Sequence, residues 1–175
     1  MPVSDKDIIE KMRGDAEKGF RLLMARYKEP IYWHIRRLIV SHDETQDVAQ
    51  ETFIRIFRSF DKNAEYRSFK GWIYRIATNE ALRHIERRKE NRCSLDQVFN
   101  LQGDTYMDYS DVEAVRLQKA ILSLPPKQQL AFNLRYYDEM DYDEIAEIAE
   151  STAASVKANY HLAKERIINY MNSND

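Results

Sequence analysis

The stretch from Ser68 to about Lys89, SFKGWIYRIATNEALRHIERRK, constrains the chain most. Phe69, Trp72, Ile73, Ile76 and Ala77 recur at steps of three and four, which puts them on one side of a helix. Arg75, Asn79, Arg83 and Arg87 recur every four residues and form a polar ridge along another side. Arg88, Lys89 and Arg92 thicken the basic end. A helix that packs by one face and shows Arg and Asn on another suits a nucleic-acid backbone and exposed base edges. Arg offers paired donors to phosphate or guanine, and Asn both donates and accepts. A solvated helix with ordinary surface arginines carries the same pattern, so this helix alone leaves both readings open.

Composition narrows the fold. With 175 residues, 43% of them hydrophobic, the chain can build one medium core or two small ones. Only 4 Gly and 4 Pro argue against an all-β fold rich in tight turns. No stretch approaches the roughly 18 apolar residues of a membrane span. The opening MPVSDKDIIEKMRGD lacks the charged-then-apolar pattern of a secretory signal. The single Cys93 excludes an internal disulfide and a cysteine-rich zinc site, so a reducing, cytoplasmic setting is expected, without membrane insertion. Net charge is -2, so the distribution of charge matters more than its total. Asp43 to Asp47 and Asp138 to Glu150 are acidic, whereas Tyr66 to Arg92 is basic. One basic stripe can bind DNA on a chain of near-zero net charge.

Helical spacing continues along the chain. Ser4 caps a short helix carrying Ile8, Ile9 and Met12, and Asp15 caps a second with Phe20, Leu23, Met24 and Tyr27. Pro30 reads as the first turn of a further helix bearing Ile31, Ile35, Leu38 and Ile39. Ser41-His42-Asp43 is a turn and cap. In Asp43 to Phe60, Val48, Ala49, Thr52, Phe53, Ile56, Phe57 and Phe60 form an apolar stripe. Asp47, Gln50, Glu51, Ile54 and Arg58 lie opposite. Ile54 among acids and amides reads as part of a protein contact, or else as cover for a neighbouring side chain. Asn91 to Ser110 has no sustained period and reads as a linker of roughly 20 residues, long for a compact domain. Leu95, Val98, Phe99 and Leu101 could dock. Two flexibly joined domains are therefore expected.

After Asp111, a helix with Val112, Val115, Ala120 and Ile121 ends at Leu124-Pro125-Pro126, and a proline opens the next. Asp141 and Glu144 form a capping box for YDEIAEIA. Glu150-Ser151-Thr152 is a short turn into a longer helix, Ala153 to about Met171, turning Val156, Tyr160, Ala163, Ile167 and Ile168 inward. Two helices around a tight turn, the second showing Ser155, Lys157, Ala158, Asn159, His161 and Lys164, fit a helix-turn-helix. Ordinary helical bundles contain such pairs too. No catalytic constellation emerges. Gly14, Gly19, Gly71 and Gly103 are scattered, and His34, His42, His84 and His161 lie far apart without an HExxH-type pair. No metal site, cofactor or enzymatic activity is expected.

Four blocks in order now stand out: DVAQETF, then GWIYRIATNEALRHIERR, then LPPKQQLAFNLRYYDEMDYDEIAEI after a linker, then SVKANYHLAKERI. This succession resembles the extracytoplasmic-function class of bacterial RNA polymerase sigma factors, of the sigma-70 family, over nearly the whole chain. The resemblance implies an all-α fold of two small helical domains: a sigma-2-like bundle at 1–92, a linker at 93–110 and a sigma-4-like helix-turn-helix domain at 111–175. It implies as partners core RNA polymerase (its clamp and flap regions) and promoter DNA, with an anti-sigma factor as a further partner of the class.

Residue by residue, Asp47, Gln50 and Glu51 match the family's clamp contact, with Ile54 on the same face. Lys70, Trp72, Arg75, Asn79 and Arg83 fall on the helix resembling the minus-10 reader, which Arg87 and Arg88 extend. The loop from Asn63 to Arg67 matches the segment that captures an extruded base. Ser155, Lys157, Ala158, Asn159, His161 and Lys164 match the minus-35 recognition helix. The chain departs from the family in the turn, where Glu150 and Ser151 replace the usual Gly and apolar residue, and at Asn159, where a base is common. A Glu forced into a left-handed turn costs roughly 1 kcal/mol against Gly. Fewer bases imply fewer phosphate contacts and a shallower salt dependence. Two rival readings are a stand-alone helix-turn-helix regulator and a helical interaction scaffold.

Overall fold

The computed structural model describes residues 2–90 and 110–173, and among them every regular element is a helix. The N-terminal half holds α1 (Asp5–Gly14), α2 (Ala16–Ile39), α3 (His42–Ser59) and α4 (Phe69–Glu90). The C-terminal half holds α5 (Val112–Leu122), α6 (Pro126–Tyr136), α7 (Tyr142–Ala149) and α8 (Ala153–Asn172). The sequence marks most starts. Ser4 closes a capping box with Asp7, and Asp141 closes another with Glu144. Asp15, Ser41, Asp111 and Thr152 cap α2, α3, α5 and α8. The expected linker falls, apart from Ser110, outside the described residues, as do Leu95, Val98, Phe99 and Leu101.

One expectation fails at Pro30, which lies inside a continuous α2 and opens no new helix. Proline removes one backbone donor. Leu23, Tyr27, Ile31 and Ile35 nevertheless keep a four-residue step across it, and all are buried. Burial of that stripe outweighs a single lost hydrogen bond. Gly19 lets α1 lie against α2, since a Cβ there would stand 2.4 Å from the Met12 backbone nitrogen.

Between α2 and α3 the buried Val40 takes φ 76° and ψ -49°, a strained setting for a β-branched residue. Its neighbours hold it there. Ser41 caps α3, and Arg88 Nη2 reaches across from α4 to the Ile39 carbonyl at 2.9 Å.

The halves expected to be joined flexibly share one core. Ile31, Ile35, Ile56, Ile73 and Ala77 belong to the same buried cluster as Leu130, Leu134, Met140, Ile145 and Ile148. A smaller cluster of Ala120, Ile121, Leu124, Phe132, Ala163 and Ile167 serves the C-terminal half alone. The inward assignment of Ile168 does not hold, and Val112 is likewise left open. Val112 is 75% exposed and Ile168 is 54% exposed, because Ala120 with Ile121 and Ala163 with Ile167 take the packed faces of α5 and α8.

Candidate protein and nucleic-acid interfaces

A groove of about 1400 Å³ runs between α2 and α3. Phe20, Met24, Trp33, Phe53, Ile54 and Phe57 supply its apolar lining, with Asp47 and Gln50 among its polar residues. Ile54 is 36% exposed, and Phe57, resting edge-on against Phe20 with ring centres 5.1 Å apart, is 45% exposed. Two large apolar side chains left open beside acidic and amide groups have the composition of a protein contact. Glu51 is exposed on the same helix but does not line the groove. Phe57 was expected in the core stripe. It instead stands three residues after Ile54 on the groove face, a spacing that the sequence contained.

The loop before α4 is rigidified by aromatics. Phe60 and Tyr66 stack at 5.6 Å, and Tyr66 also meets Phe69 and Trp72 at 5.4 and 4.8 Å. The Asp61 amide donates to the Tyr66 hydroxyl, and Arg13 Nη2 donates to the Ala64 carbonyl at 2.8 Å. Asn63 sits exposed on this scaffold, its amide bonded to Asp61 Oδ1 at 2.9 Å. Trp72 is half-buried in the cluster.

Helix α4 buries Phe69, Ile73, Ala77 and Ala81, as its periodicity demands. Asn79, Arg83 and Arg87 are exposed along it, Arg83 being 2.8 Å from the buried Glu80. Arg88, read with them as a DNA contact, is turned inward: its side chain is 11% exposed and binds the Ile39 carbonyl and Glu44. Lys70 and Arg75 are half-buried beneath α7. Arg75 donates through Nε and Nη2 to the Glu147 carbonyl, at 3.2 and 2.5 Å.

Beside that contact lies a polar knot. Tyr74 donates to Asp138 Oδ1 at 3.3 Å, Arg37 Nη1 stands 3.5 Å from Asp138 Oδ2, and the Arg37 guanidinium lies over the Tyr137 ring at 4.5 Å. Burial pushes the Asp138 carboxyl up, against the opposing pull of Arg37 and the Tyr74 hydroxyl. Burial pushes the Tyr74 phenol up as well, and the Asp138 charge adds to it. His34, fully buried and bonded through Nε2 to Thr78 at 2.8 Å, is pushed down to about 3 by burial and by the Arg37 charge.

On α8, Lys157, Ala158, His161 and Lys164 are exposed, and Lys164 lies 5.5 Å from the Tyr160 ring centre. Ser155 is half-buried, its amide held by the Thr152 hydroxyl at 3.1 Å. Asn159 is half-buried and borders a crevice with Lys127, Ala131 and Ile145. Glu150 adopts φ 53° and ψ 49°, the left-handed conformation anticipated for the turn. Its amide and that of Ser151 both reach back to the Ala146 carbonyl, which ends α7 in a Schellman-like fashion. Among the described residues no group of three His, Cys, Asp or Glu side chains is arranged to hold a metal ion.

Comparison with known proteins matches this geometry to a family. The model for Sigma-70 region 2 matches residues 23–91, and that for Sigma-70 region 4 matches residues 114–167, together well over half of the chain. The chain belongs to the sigma-70 family. It is 28% identical over 180 residues to the ECF RNA polymerase sigma factor SigW of Bacillus subtilis, a match covering 95% of this chain and 96% of that one. Its fold resembles that of CnrH, solved in complex with the cytosolic domain of CnrY, with TM-score 0.73 and 17% identity over 98% of this chain and 99% of that one. It also resembles the sigma factor RpoE of Bartonella quintana, solved in complex with the anti-sigma factor NepR, with TM-score 0.68 and 20% identity over 90% and 99%. In this sigma-70 chain the groove, the aromatic loop and the ridge of α4 all fall in or beside region 2, and the turn at Glu150 falls in region 4. No helix among the described residues is long and apolar enough to cross a membrane.

Proposed function

We propose that the chain acts as an extracytoplasmic-function sigma factor, binding core RNA polymerase and directing it to promoter DNA. It works by binding and not by catalysis, in the cytoplasm where the polymerase is. The observation that carries this reading is an open apolar groove edged by Asp47 and Gln50, on the helix directly preceding an arginine- and asparagine-bearing one. The groove takes the polymerase clamp through Ile54 and Phe57, with Asp47 and Gln50 at its rim and Glu51 adding charge beyond it. Residues 1–92 form the unit that docks and reads the minus-10 element, and residues 111–175 the unit that reads the minus-35 element.

Within that division, Asn63 and its neighbours receive an extruded base, and Lys70, Arg75, Asn79, Arg83 and Arg87 hold the single strand. Extruding one base costs a few kcal/mol, which stacking and phosphate contacts offset. Arg88 has a structural part in this scheme, bracing the α2–α3 turn. Ser155, Lys157, Ala158, Asn159, His161 and Lys164 face the major groove of the upstream element. An anti-sigma factor is a natural further partner, since both solved relatives were captured with a bound protein, in one case named as an anti-sigma factor. Tethering to polymerase presents both elements at high effective concentration. The test is promoter opening by reconstituted holoenzyme: Arg83→Ala should lower open-complex formation while polymerase binding stays intact. Unchanged opening would remove Arg83 from the reader.

A further inference from the structure

Helix α1 contributes no residue to the groove between α2 and α3 or to the ridge of α4, yet both of its ends are tied down. At its start, Asp5 accepts from the Tyr27 hydroxyl at 2.7 Å and stands 3.1 Å from Arg26 Nε. Arg26 Nη1 also donates to the Val3 carbonyl at 2.5 Å. Along its length Ile8 and Met12 are buried, and the close approach at Gly19 seats it on α2. At its end, Arg13 Nη2 reaches the Ala64 carbonyl in the loop before α4. The helix is thus a strut, fixed to α2 along its length and bonded to the loop by one side chain.

That bond falls where the loop is otherwise held by its own residues. The aromatic stack fixes its two ends, Phe60 and Tyr66. Between them the Asn63 amide donates to Asp61 Oδ1 and the Ala64 amide to the Asp61 carbonyl at 3.1 Å, both within the loop. Among the described residues, Arg13 supplies the one hydrogen bond that residues 61–65 receive from outside the loop. A carbonyl cannot move apart from its backbone, so this bond sets the peptide that follows Ala64 and, through it, the backbone that carries Asn63. We propose that Arg13 is a positioning residue for base capture, ordering the loop before a base arrives. A loop already ordered loses less conformational freedom on binding, and the difference shows as affinity. This rests on the loop being the base receiver. It goes beyond that reading by giving α1 a part in reading the minus-10 element without touching DNA.

The test uses holoenzyme reconstituted with the full chain, and a promoter selected from random sequence by transcription with that holoenzyme. Its non-template strand is presented in a pre-melted bubble, and bases are removed one at a time to leave abasic sites. In the wild type one position should stand out, its base contributing at least about fivefold to affinity. Arg13→Ala should weaken binding of the intact strand about fivefold, the scale of one hydrogen bond. It should leave binding of the strand abasic at that position as it was. The exposed Lys11, on the other side of the same turn, supplies the control: Lys11→Ala removes an equal charge and should change neither. Equal losses on the intact and abasic strands would make Arg13 a phosphate contact or a general structural residue and overturn the positioning role. Binding of both strands as in wild type would overturn it too. If no abasic site affects the wild type, the loop is not a base receiver, and the positioning role falls with that reading.

Discussion

Replacing Glu150 separates two effects that the structure superimposes on one residue. Its φ of 53° and ψ of 49° cost a non-glycine residue about 1 kcal/mol. Its carboxylate lies 3.8 Å from Arg75, with side chains 70% and 40% exposed, so solvent screening limits that pair to at most about 0.5 kcal/mol. The Glu150 and Ser151 amides, both bonded to the Ala146 carbonyl, are backbone groups that survive any substitution. Glu150→Gly therefore relieves the strain and loses the pair, for a net gain of about 0.5 kcal/mol. Glu150→Gln loses the pair and keeps the strain, for a net loss of up to about 0.5 kcal/mol. The two variants should differ by about 1 kcal/mol in urea titrations followed by helical circular dichroism. With a slope near 2 kcal/mol per molar, that is a midpoint separation of about 0.5 M. Slopes must match between variants for the midpoints to report stability. A glycine variant no more stable than the glutamine variant would refute the left-handed strain at this turn.

Two further outcomes follow from the packing. His34 titrates near its ordinary value in the unfolded chain but is held down to about 3 when folded, so between those values the unfolded state carries the extra proton. Its contribution is complete above pH 6.5 and is lost as pH falls, by up to about 1.4 kcal/mol per pH unit. His34→Gln should lose about 1 kcal/mol less than wild type between pH 6.5 and 5.5 in urea titrations, and equal losses would show that the ring is not buried neutral. Gly19→Ala should cost about 1–3 kcal/mol, because its Cβ meets Met12 backbone that cannot rotate away, and a thermal midpoint equal to wild type would contradict the close approach of α1 to α2.

Much of this architecture was legible because local rules act within a few residues. Ser4, Asp15, Asp141 and Thr152 announce helix starts through their own side chains. Phe69, Ile73 and Ala77 announce a buried face by spacing alone. The failures involve competition at longer range. Pro30 reads locally as a boundary, and only the buried stripe on both sides keeps α2 whole. Phe57 reads as core because burial is the common fate of phenylalanine. Whether a side chain at that position meets a neighbour or solvent depends on how α2 crosses α3.

The site residues divide in the same way. Asp47, Gln50 and Ile54 come together on one groove because they share one helix face. Arg75 carries the same periodic signature as Arg83 and Arg87, and Arg88 stands directly after that row. Their partners, the Glu147 carbonyl and the Ile39 carbonyl, come from elsewhere in the chain and no spacing rule names them. The seam between the halves was likewise invisible in the separate acidic and basic stretches. It consists of contacts between distant segments, Lys70 with Glu144 and Arg75 with Glu150, each at 3.8 Å.

The most direct measurement is titration of the purified chain with bacterial core RNA polymerase, beside a variant carrying Ile54→Ala and Phe57→Ala. Both side chains are already open to solvent, so the variant should fold as the wild type does. Removing two central apolar anchors costs binding upward of about 1 kcal/mol each, at least a tenfold loss together. Saturable binding by wild type with that loss in the variant is the predicted result. A folded wild-type sample that does not bind core polymerase would contradict the account at its centre.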